Sequence, residues 1–201
     1  MRPSKDLKVV VLGPHYVGKT CIVNRYCNGT FLKTTFPTVG AGFFTHEISL
    51  PNLDINLMLW DTAGEERFKS IAPTLLHGAN GLILVFDITN INTFSEIDVY
   101  YELFVNSRQE VPLTELPILL LGNKYDLQDQ QKVDEATVQS WLQKNRVTYF
   151  NFVSALSGFG INEAIDNFVI SIAKKHLIDT TPSIQIDNPS AQKEEEEKGC
   201  C

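Results

Sequence analysis

Short apolar runs closed by Gly, Asn or Asp alternate along the chain with stretches whose apolar positions recur every three or four residues. The first pattern predicts buried strands at 7–12, 82–86, 118–121 and 148–153. The second predicts helices at 17–28, 92–111, 134–146 and 160–176. Two more strands, 43–50 and 54–60, are joined through Pro51-Asn52, which indicates an antiparallel hairpin, and a short helix is expected after Glu66. Alternation of this kind implies an α/β fold: a six-stranded, mostly parallel sheet with one antiparallel hairpin strand and helices on both faces. From about Asp179, Pro, Ser, Thr, Asn and Glu replace the apolar periodicity, so 179–201 reads as a disordered tail behind a single domain at 1–178.

Three of the strand ends carry chemistry. After 7–12 comes Gly13-Pro14-His15-Tyr16-Val17-Gly18-Lys19-Thr20, which fits the phosphate-binding pattern G-x-x-x-x-G-K-S/T at a strand-to-helix turn. Gly13 and Gly18 permit a backbone that a side chain would obstruct, so successive N–H groups can surround phosphate oxygens at a helix N-terminus. Lys19 would place a charge between the terminal phosphates, and the Thr20 hydroxyl would ligate Mg2+. The plainer alternative is a glycine-containing turn that happens to end in Lys-Thr.

After 118–122 comes Asn123-Lys124-Tyr125-Asp126, at the carboxyl end of a parallel strand, where open α/β sheets bind their ligands. A carboxylate at Asp126 accepts two hydrogen bonds from N1–H and the exocyclic amine of guanine, whereas adenine lacks that donor pair and leaves the carboxylate unsatisfied. Asn123 would tie this loop to the phosphate loop, and the stem of Lys124 would cover one face of the base. On its own this tetrapeptide also suits a solvated loop; behind a phosphate loop it points to a guanine nucleotide.

Between them lies Trp60-Asp61-Thr62-Ala63-Gly64-Glu65-Glu66-Arg67-Phe68. Asp61 is suited to hold Mg2+ through a water, and the Gly64 N–H is free to approach a γ-phosphate. The alternative is a helix-capping turn with Asp61 or Thr62 as cap.

These blocks, with TVGAGF at 38–43, LVFDIT at 84–89, Ser154-Ala155-Leu156 and the terminal Cys200-Cys201, make the chain resemble the Rab family within the Ras superfamily of small GTPases. The resemblance covers about 5–176 and the extreme C-terminus, and implies a P-loop GTPase fold that hydrolyses GTP to GDP and regulates vesicular traffic. It further implies that Phe31 packs on guanine, Thr38 reaches Mg2+ and the γ-phosphate, and Ala155 offers its N–H to the guanine carbonyl. His15, Tyr16, Val17, Cys21, Ser154 and Leu156 complete the nucleotide shell, and Val39, Gly40, Phe43, Trp60 and Leu75 face effectors. Lys19, Gly64 and Glu65 carry catalysis. TVGAGF and Ser70-Ile71-Ala72-Pro73 look like the endosomal branch.

The departures bear on turnover. Glu65 stands where the family has a water-orienting glutamine, so its charge would either repel the γ-phosphate or, with a raised pKa, accept a proton. His15 and Tyr16 bring bulk to a loop commonly built of small residues, leaving less room for an arginine from an activating partner; His15 could equally point to solvent. Leu75-Leu76-His77-Gly78-Ala79 replaces a tyrosine-rich segment. These departures keep open a guanine-nucleotide-binding scaffold with negligible hydrolysis. An ATP-using kinase is disfavoured by Asp126.

Composition narrows the partners. A net charge of −7 argues against nucleic acid. From Leu177 onward six acidic and two basic residues give −4, so the tail cannot be a polybasic tether. With 43% hydrophobic residues the 201-residue chain can bury one sizeable core, and a monomer is expected. Four cysteines without a secretory segment imply reduced thiols. No apolar run approaches the ~20 residues that span a bilayer. Arg2 excludes N-myristoylation, and Cys200-Cys201 resembles a double-geranylgeranylation signal, since one lipid anchors only marginally. The resemblance then implies an exchange factor, a GTPase-activating protein, effectors, a GDP dissociation inhibitor and an escort protein. It places the chain on the cytosolic face of intracellular membranes, cycling with the cytosol.

Overall fold

The computed structural model describes residues 2–32, 38, 40–62, 74–108, 110–112 and 115–179. Its strands are β1 (Ser4–Leu12), β2 (Ala41–Leu50), β3 (Leu53–Thr62), β4 (Gly81–Asp87), β5 (Ile118–Asn123) and β6 (Tyr149–Phe152). The helices are α1 (Lys19–Asn28), α2 (Ile91–Ser95), α3 (Ile97–Ser107), α4 (Glu135–Asn145) and α5 (Ile161–Asp179). One sheet runs β2-β3-β1-β4-β5-β6. Every neighbouring pair is parallel except β2–β3, the hairpin that Pro51-Asn52 predicts.

The period of two along β1 sorts the core. Leu7, Val9 and Val11 point to the face covered by Ile22 and Val23 of α1 and Ile165 and Phe168 of α5. Val10 and Leu12 point to the other, under Phe94, Phe104 and Trp141 from α2, α3 and α4. β4 and β5 are buried at every position because both their faces are covered, which is why they read as unbroken apolar runs. At the sheet edge β2 alternates exposed and half-buried residues instead.

Several expected boundaries move. The helix expected at 92–111 is two pieces, with Glu96 at the junction, and it ends at Ser107. Asn90 starts the first piece by accepting from the Asn92 N–H, and Thr93 turns its hydroxyl onto the Asn90 carbonyl. Arg108 leaves the helical region at φ −132°, so Val111 lies beyond the end. Helix α1 begins two residues later than expected, because Gly18 at φ 93° cannot be helical. A 3-10 helix at Tyr125–Gln130 had no apolar period to announce it. α5 reaches Asp179, three residues past the expected end. The helix expected after Glu66 and the tail from 180 lie outside the described residues.

Cys21 and Cys27 are free, half-buried thiols packed against the α1/α5 side of the core. Burial pushes the Cys27 thiol up to about 11, and burial followed by the Asp61 carboxylate raises Cys21. Only the thiolate reacts quickly. Alkylation of Cys27 at pH 8 is therefore expected to be roughly tenfold or more slower than that of free cysteine, accelerating as pH rises toward the thiol's own pKa. Peptide mass spectrometry of a timed iodoacetamide reaction measures this.

Candidate functional site: a cleft at the carboxyl edge of the sheet

β1 ends at Leu12 and the chain turns through Gly13 at φ 148° and Gly18 at φ 93°. A Cβ on Gly13 would lie 2.2 Å from the Val85 carbonyl oxygen, and one on Gly18 would lie 2.4 Å from Asn123 Nδ2. Glycine is required at both places by contact as well as by backbone. No side chain caps α1, and no acidic residue occupies its first turn, so the helix N-terminus is left to whatever enters the cleft. Lys19 is 6% exposed. Its ammonium donates to the carbonyls of Gly13 at 2.7 Å and Pro14 at 2.8 Å. Burial, opposed by the Asp61 charge, lowers its pKa to about 8.

Thr20 follows on the inner face of α1. Its hydroxyl donates to Asp61 Oδ2 at 2.6 Å and lies 3.0 Å from Thr38 Oγ1. Three oxygen-bearing side chains from α1, β3 and the loop before β2 thus converge. Asp61 is 1% exposed, and its second oxygen, Oδ1, is buried with no hydrogen-bond partner among the described residues. Burial raises the Asp61 carboxyl pKa, while the Thr20 hydrogen bond and the Lys19 charge oppose the rise. A buried carboxylate with an idle lone pair beside two hydroxyls fits a hard divalent cation such as Mg2+.

The other end of the cleft is built on β5. Asn123 is 2% exposed. Its amide donates to the Val17 carbonyl at 2.7 Å, and its Oδ1 accepts from the Ala155 N–H at 3.1 Å. One side chain therefore ties the phosphate loop, the 123–126 turn and the 154–156 turn together. Asp126 accepts from the Ser154 hydroxyl, which in turn accepts from the Ser157 N–H. Lys124 sits at φ 70° and pairs with Asp87 Oδ2 at 2.6 Å. Asp87 Oδ1 takes both the N–H and hydroxyl of Thr89.

Between these ends lies a cavity of about 270 Å3. His15, Tyr16, Gly18, Lys19, Thr20 and Cys21 line its phosphate-loop side, and Asn123, Lys124, Asp126, Ala155 and Leu156 its far side. Phe31 and Thr38 close it from the segment after α1. Gly13, Val17, Asp61 and Ser154 do not line the cavity but brace residues that do. The Ala155 N–H, expected to face a ligand, is engaged by Asn123. Tyr16 is 80% exposed at the lip, with its ring 5.8 Å from that of His15. Gly64 and Glu65 lie outside the described residues, as do Val39, Cys200 and Cys201.

Phe43 and Trp60 are directly paired across β2 and β3, with ring centroids 5.2 Å apart. Phe43 is 52% exposed, while Trp60 and Leu75 are partly buried against the α2–α4 side of the core. Gly40 lies just ahead of β2 at φ 88°. Lys8 lies over the Trp60 ring, 5.2 Å from its centroid.

Sequence reasoning missed Asp87 and Arg25. Asp87 carried a faint signal, as a carboxylate closing a wholly apolar strand. Arg25 had none, because its partners in the 155–156 turn are 130 and 131 residues away.

The Ras family model matches residues 8–174. A Ras-related protein Rab-7b of Paramecium octaurelia is 32% identical over 96% of this chain and 96% of its own length. Mouse Rab-7b is 33% identical over 90% of this chain and 94% of its own. The fission-yeast Ypt/Rab-type GTPase ypt7 is 32% identical over 97% and 95% respectively. With the loop, cation-like cluster and base-side turn in one cleft, and relatives matching nearly end to end, the chain belongs to the Ras family as a Rab-type small GTPase of the Rab-7-like branch.

Proposed function

We propose that this Rab-type GTPase is a timed switch on endosomal membranes whose hydrolytic clock is set by Glu65. The observation that carries the reading is the meeting of Thr20, Thr38 and Asp61, because it joins the segment before β2 to the phosphate loop at one point. Thr20, Thr38 and Asp61 would hold Mg2+, which supplies charge neutralisation at the phosphates. Lys19 and the open N-terminus of α1 bind the phosphates, Asp126 selects guanine, Phe31 and Lys124 flank the base, and Asn123 keeps the two loops in register. GTP holds Thr38 and Gly64 in place; loss of the γ-phosphate releases both, so effectors meet different surfaces around Phe43, Trp60 and Leu75 in the two states.

Exchange factors open this cleft, and an activating protein must work past His15 and Tyr16. Tyr16, exposed at the lip, supports that crowding. Among the described residues no helix is long and apolar enough to cross a membrane. Attachment is assigned to geranylgeranyl groups on Cys200 and Cys201, delivered by an escort protein and masked by a GDP dissociation inhibitor. The Rab-7 names of the relatives support the endosomal assignment.

Single-turnover hydrolysis of Mg2+-loaded GTP tests the clock. Glu65→Leu is expected to slow turnover by about tenfold or more, the scale of a water-orienting group. Glu65→Gln is expected to change the rate, since it removes a charge at the γ-phosphate without changing shape. An identical rate in wild type and Glu65→Gln would sink the role given to Glu65. Tight GTP binding with no turnover in any variant would make the chain a nucleotide-binding scaffold.

A further inference from the structure

The last turn of helix α1 carries a side chain that touches both the base end of the cleft and the root of the segment that closes it. Arg25 donates through Nε to the Ala155 carbonyl at 3.0 Å and through one terminal nitrogen to the Leu156 carbonyl at 2.6 Å. Its other terminal nitrogen donates to the Gly29 carbonyl at 2.9 Å. Guanidinium is planar, permanently charged and forked, so three carbonyls held at once fix the relative position of two segments. The first is the turn carrying Ala155 and Leu156 at the base end of the cavity. The second is the reversal at Gly29, φ 69°, from which the chain passes to Phe31 and Thr38. The neighbouring Asn24, buried, secures that reversal from inside by donating to the Thr30 carbonyl at 2.6 Å and lying 2.9 Å from its hydroxyl. Asn28 donates back to Asn24 at 2.8 Å.

We infer that Arg25 is a positioning residue that couples retention of the guanine base to the root of the segment bearing Phe31 and Thr38. Opening either segment then strains the other, and a partner that displaces the 29–32 segment also loosens the base turn without touching it. The inference rests on the guanine reading of the cleft. A simpler role is available: a cation in the last turn of a helix is favourable by itself, and Arg25 is the basic residue of that turn. That role predicts lost stability but no bridge between the two segments.

The test uses the full chain loaded with N-methylanthraniloyl-GDP or the corresponding GTP, chased with unlabelled nucleotide. Arg25→Ala is expected to release both labelled nucleotides about tenfold faster, the scale of one charge-assisted hydrogen bond. The single-turnover rate constant of GTP still bound should move much less. Arg25→Lys, which keeps the charge and stem but not the fork, is expected to fall between the two and covers the case in which the alanine variant does not fold. Hydrogen exchange of the loaded protein should lose protection at both 28–31 and 154–158. Release at the wild-type rate in both variants, or loss of protection confined to 28–31, would overturn the inference while leaving the guanine site intact. A wild-type chain that retains no guanine nucleotide would overturn the cleft reading, and the inference with it.

Discussion

Asp126→Asn is expected to move the chain's preference from guanine to xanthine nucleotides by about three orders of magnitude or more. The carboxylate offers acceptors only, matching the two donors on the guanine edge. Asparagine presents one acceptor and one donor, which leaves the exocyclic amine facing an N–H and favours a base with a carbonyl in that place. The effect should be large because the turn is braced. Ser154 donates to Asp126, Ser157 supports Ser154, and Asn123 locks the Ala155 amide, so the substituted side chain cannot swing out to soften the mismatch. The Ser154 hydrogen bond survives the change, since the asparagine oxygen still accepts it, and little loss of fold stability accompanies the switch. Competition of GDP and xanthosine diphosphate against labelled nucleotide measures it. Undiminished guanine preference in Asp126→Asn would remove Asp126 from base recognition, and with it the strongest argument against an ATP-using reading of the cleft.

Much of this site was legible because it is local. A phosphate loop needs its glycines, lysine and hydroxyl within eight residues, and it must follow a strand; the burial of β1 and the positive φ of Gly13 and Gly18 are what the spacing demanded. The sheet was legible for a similar reason. Unbroken apolar runs at β4 and β5 require cover on both faces, and Pro51-Asn52 marks the one reversal of direction. What stayed hidden is whatever depends on a partner distant in sequence. Nothing near Arg25 in the chain announces its hold on the Ala155 and Leu156 carbonyls, 130 and 131 residues away. The ammonium of Lys124 is held by Asp87 at the end of β4, a pairing no local pattern shows. The Ala155 amide is held by Asn123, a contact across 32 residues that no local pattern announces. The break at Glu96 escaped because both helical pieces continue a single apolar period; the first piece is fixed to β4 by the Thr93 hydroxyl, which accepts from the Asp87 N–H, and by the Phe94 ring against Phe86.

Lys19→Met is expected to lower affinity for GTP and GDP by about 10³-fold or more, while the melting temperature of the nucleotide-free protein changes by only a few degrees. The two outcomes diverge because the lysine is poorly suited to its surroundings until phosphate arrives. It is 6% exposed, with its ammonium held by two neutral carbonyls. Burial lowers its pKa from 10.5 to about 8 in spite of Asp61. Methionine of similar volume removes that desolvation cost but leaves the Gly13 and Pro14 carbonyls without their donor, so the two effects on the empty protein oppose each other. Phosphate reverses the balance, since a bound anion favours the ammonium and raises its pKa above that of the empty site. Linkage then fixes the sign. The contribution of Lys19 to affinity is complete below the empty-site value of about 8 and is lost as pH climbs from there through the higher, bound-state value. The difference in GDP affinity between wild type and Lys19→Met, followed by calorimetry with Mg2+ present, isolates this group from titration of the base. A difference that stays constant between pH 7 and pH 10 would mean that Lys19 does not carry its charge to the phosphates, and equal affinity in the two proteins would remove it from the site altogether.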